Sequence, residues 1–264
     1  MTTLPHPRAR RYRSIWISDV HLGFPGCQAD LLLEFLRAIE CETLYLVGDI
    51  IDLWYMRRRL YWPQAHNDVI RALLSKARRG TRVVYVPGNH DELLRDHCGT
   101  AFGNVRIADT LVHTTASGRR FLVLHGDQFD SVVQCSRLLA VAGNVAYSGL
   151  LKLNLVVNYC RRRLGFPHWS LAGFLKHRVK NAVQYISNFG DAVAHAALER
   201  ELDGVICGHI HRAEISEIHG VTYCNCGDWV ESCTALAEHP DGTIELLRWS
   251  EASQAVERAS SAAA

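Results

Sequence analysis

The sequence has few of the features that mark a secreted, disulfide-stabilised or zinc-ribbon protein. Its cysteines number nine, an odd count, and no two of them form a C-x-x-C pair. A disulfide frame and a zinc ribbon are therefore not expected. A reducing environment is the better interpretation of this cysteine usage, and we expect a cytoplasmic protein.

The sequence also has little net charge, +2 over 264 residues. This balance argues neither for nor against nucleic acid as a partner, and we expect none. Residues 1–13 are basic and contain proline but lack an apolar core, so they predict neither a signal peptide nor a membrane span. We interpret 1–13 as a disordered tail and 251–264, which are small and polar, as a frayed tail.

Strand-like and helical patterns alternate through the remainder, residues 14–250. Apolar residues recur with helical spacing over 28–40 and 63–79, and short apolar strands are predicted at 14–18, 43–47 and 83–86. Two further strands are predicted at 105–112 and 119–124, joined by a turn at 116–118. Short strands with turns at 219–220 and 241–242 are predicted over 213–249. This alternation predicts one layered α/β domain with a large insertion.

The insertion, about 128–202, has a different pattern, with two long helix-compatible runs on either side of Pro167. It carries nine Lys and Arg against four Asp and Glu, a local balance of +5, so it is the basic part of the chain. Its first half is strongly apolar but is interrupted by polar residues, which argues against a transmembrane helix. Two interpretations remain open: an amphipathic hairpin on its own domain, and an apolar groove or membrane-surface contact for a lipid-like ligand.

Polar side chains follow five of the apolar strand-like segments at the point where each ends. They are Asp19 and His21, Asp49, Asn89 with His90 and Asp91, His125, and His209 with His211. Side chains two residues apart in an extended segment point the same way, so Asp19 and His21 leave their strand together. One isolated histidine would be uninformative, but five such strand ends predict a shared site.

The residue types at these ends suit a pair of metal ions. Two divalent cations about 3.5 to 4 Å apart can orient a phosphate, neutralise its charge and activate water, provided that one ligand bridges them. Three oxygen ligands with four imidazoles favour manganese, iron or zinc over magnesium or calcium. Arg57 to Arg59 begin eight residues beyond Asp49. Such a run is usually a solvated face, but here it is close enough in sequence to contact an anion held at the metals.

The order D-x-H, G-D, G-N-H-D, H-G-D and G-H-x-H resembles the calcineurin-like metallophosphoesterase superfamily. The resemblance spans residues 19 to 211 and implies a layered α/β/β/α sandwich with the helical insertion as a lid. It implies a first metal on Asp19, His21, Asp49 and His211, and a second on Asp49, Asn89, His125 and His209, with Asp49 as the bridge. It further implies that His90 acts on the phosphate, with Asp91 orienting its ring.

Within that superfamily the chain is most similar to the UDP-2,3-diacylglucosamine hydrolases of lipid A synthesis. These enzymes release UMP and a lipid monophosphate, usually with manganese, so a nucleotide-linked acylated sugar is the implied substrate. Candidate substrate-binding residues are Arg57, Arg58, Arg161, Lys176 and Lys180. The enzyme is expected to be cytoplasmic and peripheral on the inner membrane, against an anionic surface. One departure is His90, because those hydrolases often carry arginine there.

Three functions remain open at this point. The first is hydrolysis of the lipid-linked nucleotide diphosphate, and the second is hydrolysis of another phosphomonoester or phosphodiester. The third is a non-catalytic metal-binding scaffold, which has no chemical need for the full ligand set together with His90. The insertion separates the first two, since a small or protein substrate does not require an apolar, basic lid. The oligomeric state and the native metal are left open.

Overall fold

The structure, a computed structural model, describes residues 10–130, 186 and 188–249. The strands are β1 (Arg10–Ile17), β2 (Ile39–Val47), β3 (Arg82–Val86), β4 (Ala101–Phe102), β5 (Val105–Ile107), β6 (Leu111–Thr114), β7 (Arg120–Val123), β8 (Gly204–Cys207), β9 (Glu214–Ile218), β10 (Val221–Asn225), β11 (Thr234–Glu238) and β12 (Ile244–Arg248). The helices are α1 (Ala29–Ala38), α2 (Leu53–Arg58) and α3 (Gln64–Arg78), with 3₁₀ turns at Glu92–His97 and Asp127–Phe129. Residues 188–198 are also helical.

The chain divides into two compact units, Met1–Asp127 with Ala194–Ala264, and Gln128–Val193. The second unit contains most of the expected insertion, and nearly all of it lies outside the described residues. Arg161, Lys176 and Lys180 are among the residues that are not described. Every side chain whose contacts are described below belongs to the first unit. No helix in the described ranges has the length and hydropathy that crossing a membrane requires.

Two sheets form the centre of the first unit. The first has the order β12-β11-β1-β2-β3-β5-β4, and the second β6-β7-β8-β10-β9. β1, β2, β3 and β5 are parallel to one another, as are β7, β8 and β10. Because the carboxyl ends of parallel strands lie at one edge of a sheet, the segments that follow β1 to β3 meet there.

Both faces of the first sheet are buried. Ile15 and Ile17 of β1 pack with Leu32 and Phe35 of α1 and with Val69 of α3. The side chain between them on β1, Trp16, points the other way and packs with residues of the second sheet, including Phe121 and Ile206. This alternation with a period of two places α1 and α3 on one face and the second sheet on the other. The predicted layered α/β architecture is confirmed for the described residues.

α1, α3 and β3 lie close to where the sequence predicted them. α1 and α3 begin and end within two residues of the predicted bounds, and the turns at 219–220 and 241–242 are present. β1 and β2, however, begin at Arg10 and Ile39, each four residues earlier than predicted. Arg10 and Arg11 pair with Ile39 and Glu40 of β2. The backbone makes the hydrogen bonds of this pairing, so the strand continues although Arg10 and Arg11 are charged.

The prediction of one strand over 105–112 is wrong. β5 lies in the first sheet beside β3, whereas β6 pairs with β7 in the second sheet. The amide of Ala108 still donates to Tyr85 on β3, and Leu111 already pairs with Val123. The chain therefore crosses between the sheets over 108–110. Asp109 and Thr110 interrupt the apolar pattern at the crossing, and Asp109 is exposed. An interruption of two residues also occurs within one half-buried strand, so the pattern of hydrophobicity did not reveal the break.

Candidate metal centre

The five predicted strand ends meet in the structure. Asp19 and His21 follow β1, Asp49 follows β2, Asn89 and His90 follow β3, His125 follows β7, and His209 and His211 follow β8. Backbone hydrogen bonds join the first two ends, because the amide of Asp19 donates to Gly48 and that of His21 to Asp49. The amide of His209 donates to the carboxylate of Asp19 at 3.0 Å, which ties the fifth end to the first.

Three overlapping groups of side chains have ligand atoms that all lie within 4.8 Å of one another. They are Asp19, His21 and His211; Asp49, His125 and His209; and His21, Asp49 and His90. In the first group His211 Nε2 lies 3.3 Å from Asp19 Oδ1 and 3.4 Å from His21 Nε2. In the second, His125 Nε2 lies 3.3 Å from Asp49 Oδ2. Asp49 belongs to the second and third groups, and His21 belongs to the first and third.

Buried atoms at this centre have the character of metal donors. In the described part of the chain Asp19 Oδ1, Asn89 Oδ1 and His125 Nε2 are buried and make no hydrogen bond. A buried polar atom without a hydrogen-bond partner is costly, and a bound ion is one of its recognised explanations. The second ring nitrogen of His125 contacts the carbonyl of Val47 at 3.0 Å, which leaves Nε2 for a metal. The residues therefore fit a cation.

The backbone at the centre is strained. Asp19, His21, Asp49, His209 and His211 all have positive φ, between 50° and 70°. For residues with a side chain this left-handed conformation costs on the order of 1 to 3 kcal/mol each, and it persists where the surrounding structure enforces it. Such strain clusters at functional sites, and here it falls on five of the seven residues expected to bind metal.

Asp19 and Asp49 strengthen the case for a cation. Burial alone would raise the pKa of both carboxyl groups, but the imidazoles beside them lower it. In the same way burial would lower the pKa of His125, but Asp49 and Asp19 raise it to about 10. The carboxylates thus hold positive charge on the histidines when no metal is bound. A divalent ion would displace those protons, so metal binding is expected to release protons.

A carboxylate that the sequence analysis missed, Asp52, contacts both His90 and His21. Its Oδ1 lies 2.9 Å from His90 Nδ1, and its Oδ2 lies 3.2 Å from His21 Nδ1. Asp52 also begins α2 by accepting the amide hydrogen of Tyr55 at 2.8 Å. A carboxylate three residues beyond Asp49 was a usable signal, but an N-cap alone would have explained it.

The predicted contact of Asp91 with the His90 ring is wrong. Asp91 is fully buried, and its carboxylate accepts hydrogen bonds from the amides of Ile50 and Gly88 and from the hydroxyl of Tyr85, at 2.8, 2.6 and 2.5 Å. Burial, with the negative charge of Asp49, raises its pKa. Asp91 therefore joins the loop after β2 to the loop after β3, and Asp52 is the residue that faces the ring.

A cavity of about 680 Å³ is lined in part by His21, His90 and His211. Its lining includes Phe24, Trp54, Tyr55, Arg57 and Arg58 together with His90. Trp54 lies over the His90 ring, with 4.6 Å between ring centroids. The structure thus places Arg57 and Arg58 in the lining of the cavity that His21, His90 and His211 also line. Both are exposed, on a short helix that buries none of its residues.

Comparison with known proteins gives a consistent result. Residues 12–213 match a family model described as calcineurin-like phosphoesterase. A UDP-2,3-diacylglucosamine hydrolase of Neisseria gonorrhoeae is 28% identical over 231 residues, which cover 82% of this chain and 89% of that protein. A protein of the same name from Serratia proteamaculans is 26% identical over 215 residues, 78% of this chain and 84% of that protein. One from Blochmanniella pennsylvanica is 32% identical over 116 residues, which cover 43% of this chain and 46% of that protein.

Proposed function

The chain belongs to the calcineurin-like phosphoesterase family, and on that premise we propose that it hydrolyses UDP-2,3-diacylglucosamine. The family and the hydrolase-named relatives make it a metal-dependent hydrolase. The products of the proposed reaction are UMP and 2,3-diacylglucosamine 1-phosphate. The observation that carries the proposal is the cavity that combines Arg57 and Arg58 with the rings of Phe24 and Trp54 and is also lined by His21 and His211.

Two divalent ions would be held by the side chains that meet at the strand ends. We assign Asp19, His21, Asp49 and His211 to the first ion, and Asp49, Asn89, His125 and His209 to the second, with manganese as the preferred metal. When bound, such a pair neutralises phosphate charge and activates water for attack. Asp49 is the proposed bridge because its oxygens lie close to ligands of both groups.

The chain's own residues supply the remaining chemistry. Arg57 and Arg58 line the cavity and would hold the diphosphate oxygens through charge-assisted hydrogen bonds. His90 would donate a proton to the leaving phosphate. Burial would lower the pKa of His90, but the contact with Asp52 and the charge of Asp49 raise it, which favours the protonated form that a general acid needs.

The substrate assignment rests on the surface beside His90 and on the composition of the insertion. A nucleotide-linked acylated sugar presents a negatively charged diphosphate and long hydrocarbon chains together. The cavity combines Arg57 and Arg58 with the rings of Phe24 and Trp54, and the insertion is apolar as well as basic. We propose that Arg161, Lys176 and Lys180 contact the substrate phosphates or an anionic inner-membrane surface on the cytoplasmic side.

A second candidate function is hydrolysis of a simpler phosphomonoester or phosphodiester. The observation that favours it is the pair of His90 and Asp52, which contact at 2.9 Å. A histidine held by a carboxylate can protonate many leaving groups and requires no acylated sugar. The insertion is what argues against this simpler substrate.

A substrate panel with Mn²⁺ separates these two functions. We would compare kcat/KM for UDP-2,3-diacylglucosamine, for analogues with shortened acyl chains, for UDP-glucosamine and for bis-p-nitrophenyl phosphate. Each methylene that finds an apolar wall contributes about 0.8 kcal/mol, so kcat/KM should fall about fourfold per methylene removed. Similar values for acylated and deacylated substrates would contradict the lipid assignment and favour the simpler one.

Charge reversal provides the control for the insertion. Lys176→Glu with Lys180→Glu should reduce kcat/KM for the acylated substrate more than for bis-p-nitrophenyl phosphate, because only the former needs the basic insertion. The matched variant is Arg71→Glu on α3, which is exposed and absent from the cavity beside His90. An equal decrease in kcat/KM with both substrates would mean that the two lysines stabilise the fold and do not select the substrate.

A further inference from the structure

The loop between β10 and β11, Cys226 to Cys233, contacts the segment that follows β1. The hydroxyl of Ser18 donates to the carbonyl of Gly227 at 2.9 Å, and the amide of Trp229 donates to the carbonyl of Asp19 at 3.0 Å. This loop lies beyond residue 213, where the match to the family model ends. The sequence motifs also stop before it. Neither therefore assigns it a part in the site.

Asp228, in the middle of this loop, uses its two carboxylate oxygens differently. Oδ1 accepts hydrogen bonds from the amides of Val230, Glu231 and Ser232 at 2.8, 2.5 and 3.1 Å. Oδ2 accepts the hydroxyl of Ser232 at 3.0 Å and lies 3.9 Å from Nδ1 of His211. Oδ1 thus closes the loop, while Oδ2 faces a residue of the candidate metal centre.

The ring of His211 needs an external partner to hold its orientation. Its Nε2 points at the first metal group, 3.3 Å from Asp19 Oδ1, but its side chain is 40% exposed. Imidazole binds a metal through one nitrogen, and a hydrogen on the other nitrogen directed at a carboxylate fixes both the tautomer and the ring plane. At 3.9 Å the contact with Asp228 is electrostatic and too long for a hydrogen bond. Asp228 is nevertheless only 1% exposed, so its carboxylate is a buried partner for Nδ1 of His211.

We propose that Asp228 is a positioning residue for the first metal, acting through His211. It holds Nδ1 of that ring in its protonated form and turns Nε2 toward Asp19 and His21. The inference rests on the metal-centre part of the proposed function and is independent of the substrate. Asp228 also fixes the amide of Val230, a residue that lines the cavity beside His90.

The competing explanation is that Asp228 only closes its loop. Asp228→Asn separates the two roles, because the amide oxygen can still accept the three backbone hydrogens that Oδ1 accepts. The amide nitrogen would then replace Oδ2 and place a donor, without charge, opposite Nδ1 of His211. Ser232→Ala is the matched control, since it disturbs the same loop and leaves the carboxylate in place.

The test is Mn²⁺ binding to full-length protein stripped with EDTA, measured by titration calorimetry and equilibrium dialysis. Asp228→Asn should weaken binding at one of two sites by about 10- to 100-fold, the range for loss of a carboxylate behind a histidine ligand. The other site should stay within about twofold, and the Tm of the metal-free protein should not change. Ser232→Ala should bind both ions as the wild type does. Unchanged affinity in Asp228→Asn, or an equal loss at both sites with a lower Tm, would overturn the proposal.

A double-mutant cycle shows whether Asp228 acts through His211. In a His211→Ala background Asp228→Asn should cause no further loss of Mn²⁺ affinity, and an additional tenfold loss would overturn the proposal. A measurement on the wild type does not depend on any variant folding. In ¹⁵N-histidine-labelled protein loaded with Zn²⁺, His211 should be protonated at Nδ1, and protonation at Nε2 would overturn it. Wild-type protein that binds no divalent ion would refute the metal centre itself, a result distinct from failure of the Asp228 contact.

Discussion

Replacing Asp52 with asparagine tests how two rings at the centre depend on one carboxylate. Asp52 is 4% exposed, and its oxygens face His90 at 2.9 Å and His21 at 3.2 Å. In Asp52→Asn the amide oxygen can keep the contacts that Oδ1 makes with His90 and with the amide of Tyr55. The amide nitrogen would take the place of Oδ2. It would present a donor to His21 Nδ1 and favour the tautomer whose Nε2 carries the hydrogen, which cannot bind metal.

The expected decrease in kcat follows from the hydrogen bonds that change. A hydrogen bond to a charged group contributes about 1.5 to 3 kcal/mol, which corresponds to a decrease of about 10- to 150-fold in kcat. Weaker binding of Mn²⁺ at the first site should accompany it, because His21 is affected as well. The fold should be retained, since α2 keeps its N-cap.

The pH dependence supplies a separate signature. Burial would lower the pKa of His90, but its contact with Asp52 and the charge of Asp49 raise it. Removing the charge at Asp52 lowers that pKa, so the protonated acid is lost at lower pH than in the wild type. The alkaline limb of a kcat against pH profile at saturating Mn²⁺ should therefore move to lower pH. A profile in the same position, with kcat within twofold, would refute this account of Asp52.

Three further predictions address other parts of the first unit. Asp49→Ala should lower bound metal and turnover together and more than His21→Ala does, because the proposed bridge serves both ions; two retained metals with near-normal rates would contradict the assignment. His90→Ala should reduce kcat by about 10² to 10⁴ while metal analysis finds both ions in place, the range for a positioned general acid, and loss of metal instead would make it a ligand. Burial would raise the pKa of Glu238, but hydrogen bonds from His113, Ala116 and Arg13 lower it to about 2 from 4.5. Ionised Glu238 contributes about 3 kcal/mol to the free energy of unfolding above pH 4.5, and this contribution is lost as the pH falls toward 2. Chemical denaturation of metal-free Glu238→Gln should therefore show a flatter decline of stability over that interval. A decline like that of the wild type would contradict the role of Glu238.

The strand ends were predictable because their signal is local. An apolar strand followed by a turn with carboxylate and imidazole side chains can be recognised in the sequence, and parallel strands bring such ends together. Asp19, His21, Asp49, His125, His209 and His211 therefore meet where the sequence analysis expected a metal pair. Arg57 and Arg58 were expected near the centre because they follow Asp49 by only eight and nine residues, and they lie in α2, the short helix that follows β2.

The partners of the reacting groups were not predictable in this way. The family resemblance implied that Asp91 orients the His90 ring, but adjacent side chains diverge, and Asp91 turns into the core toward Tyr85. Asp52 and Asp228 contact His90 and His211 across 38 and 17 positions of the chain. Such contacts depend on the path of the loops, and no local pattern records that path.

The position of Gly88 shows how closely the loop after β3 approaches the loop after β2, and Gly88→Ala tests whether this approach positions the metal ligands. A Cβ at this position would overlap Asp49 Oδ1 and would lie 2.7 Å from both the Asp49 amide nitrogen and His125 Cδ2. The backbone nitrogen cannot move away as a flexible side chain could, so Gly88→Ala must displace Asp49 or His125, two proposed ligands of the second ion. We expect a loss of about 1 to 3 kcal/mol in stability from overpacking and release of the second metal before the first. Gly80→Ala is the matched control: Gly80 has φ of +104° and open space around its Cβ position, so it should cost stability without changing metal content. Thermal unfolding in EDTA, with metal content measured by equilibrium dialysis, tests both variants. Gly88→Ala protein that bound two Mn²⁺ ions with wild-type affinity would show that this close approach does not position the ligands.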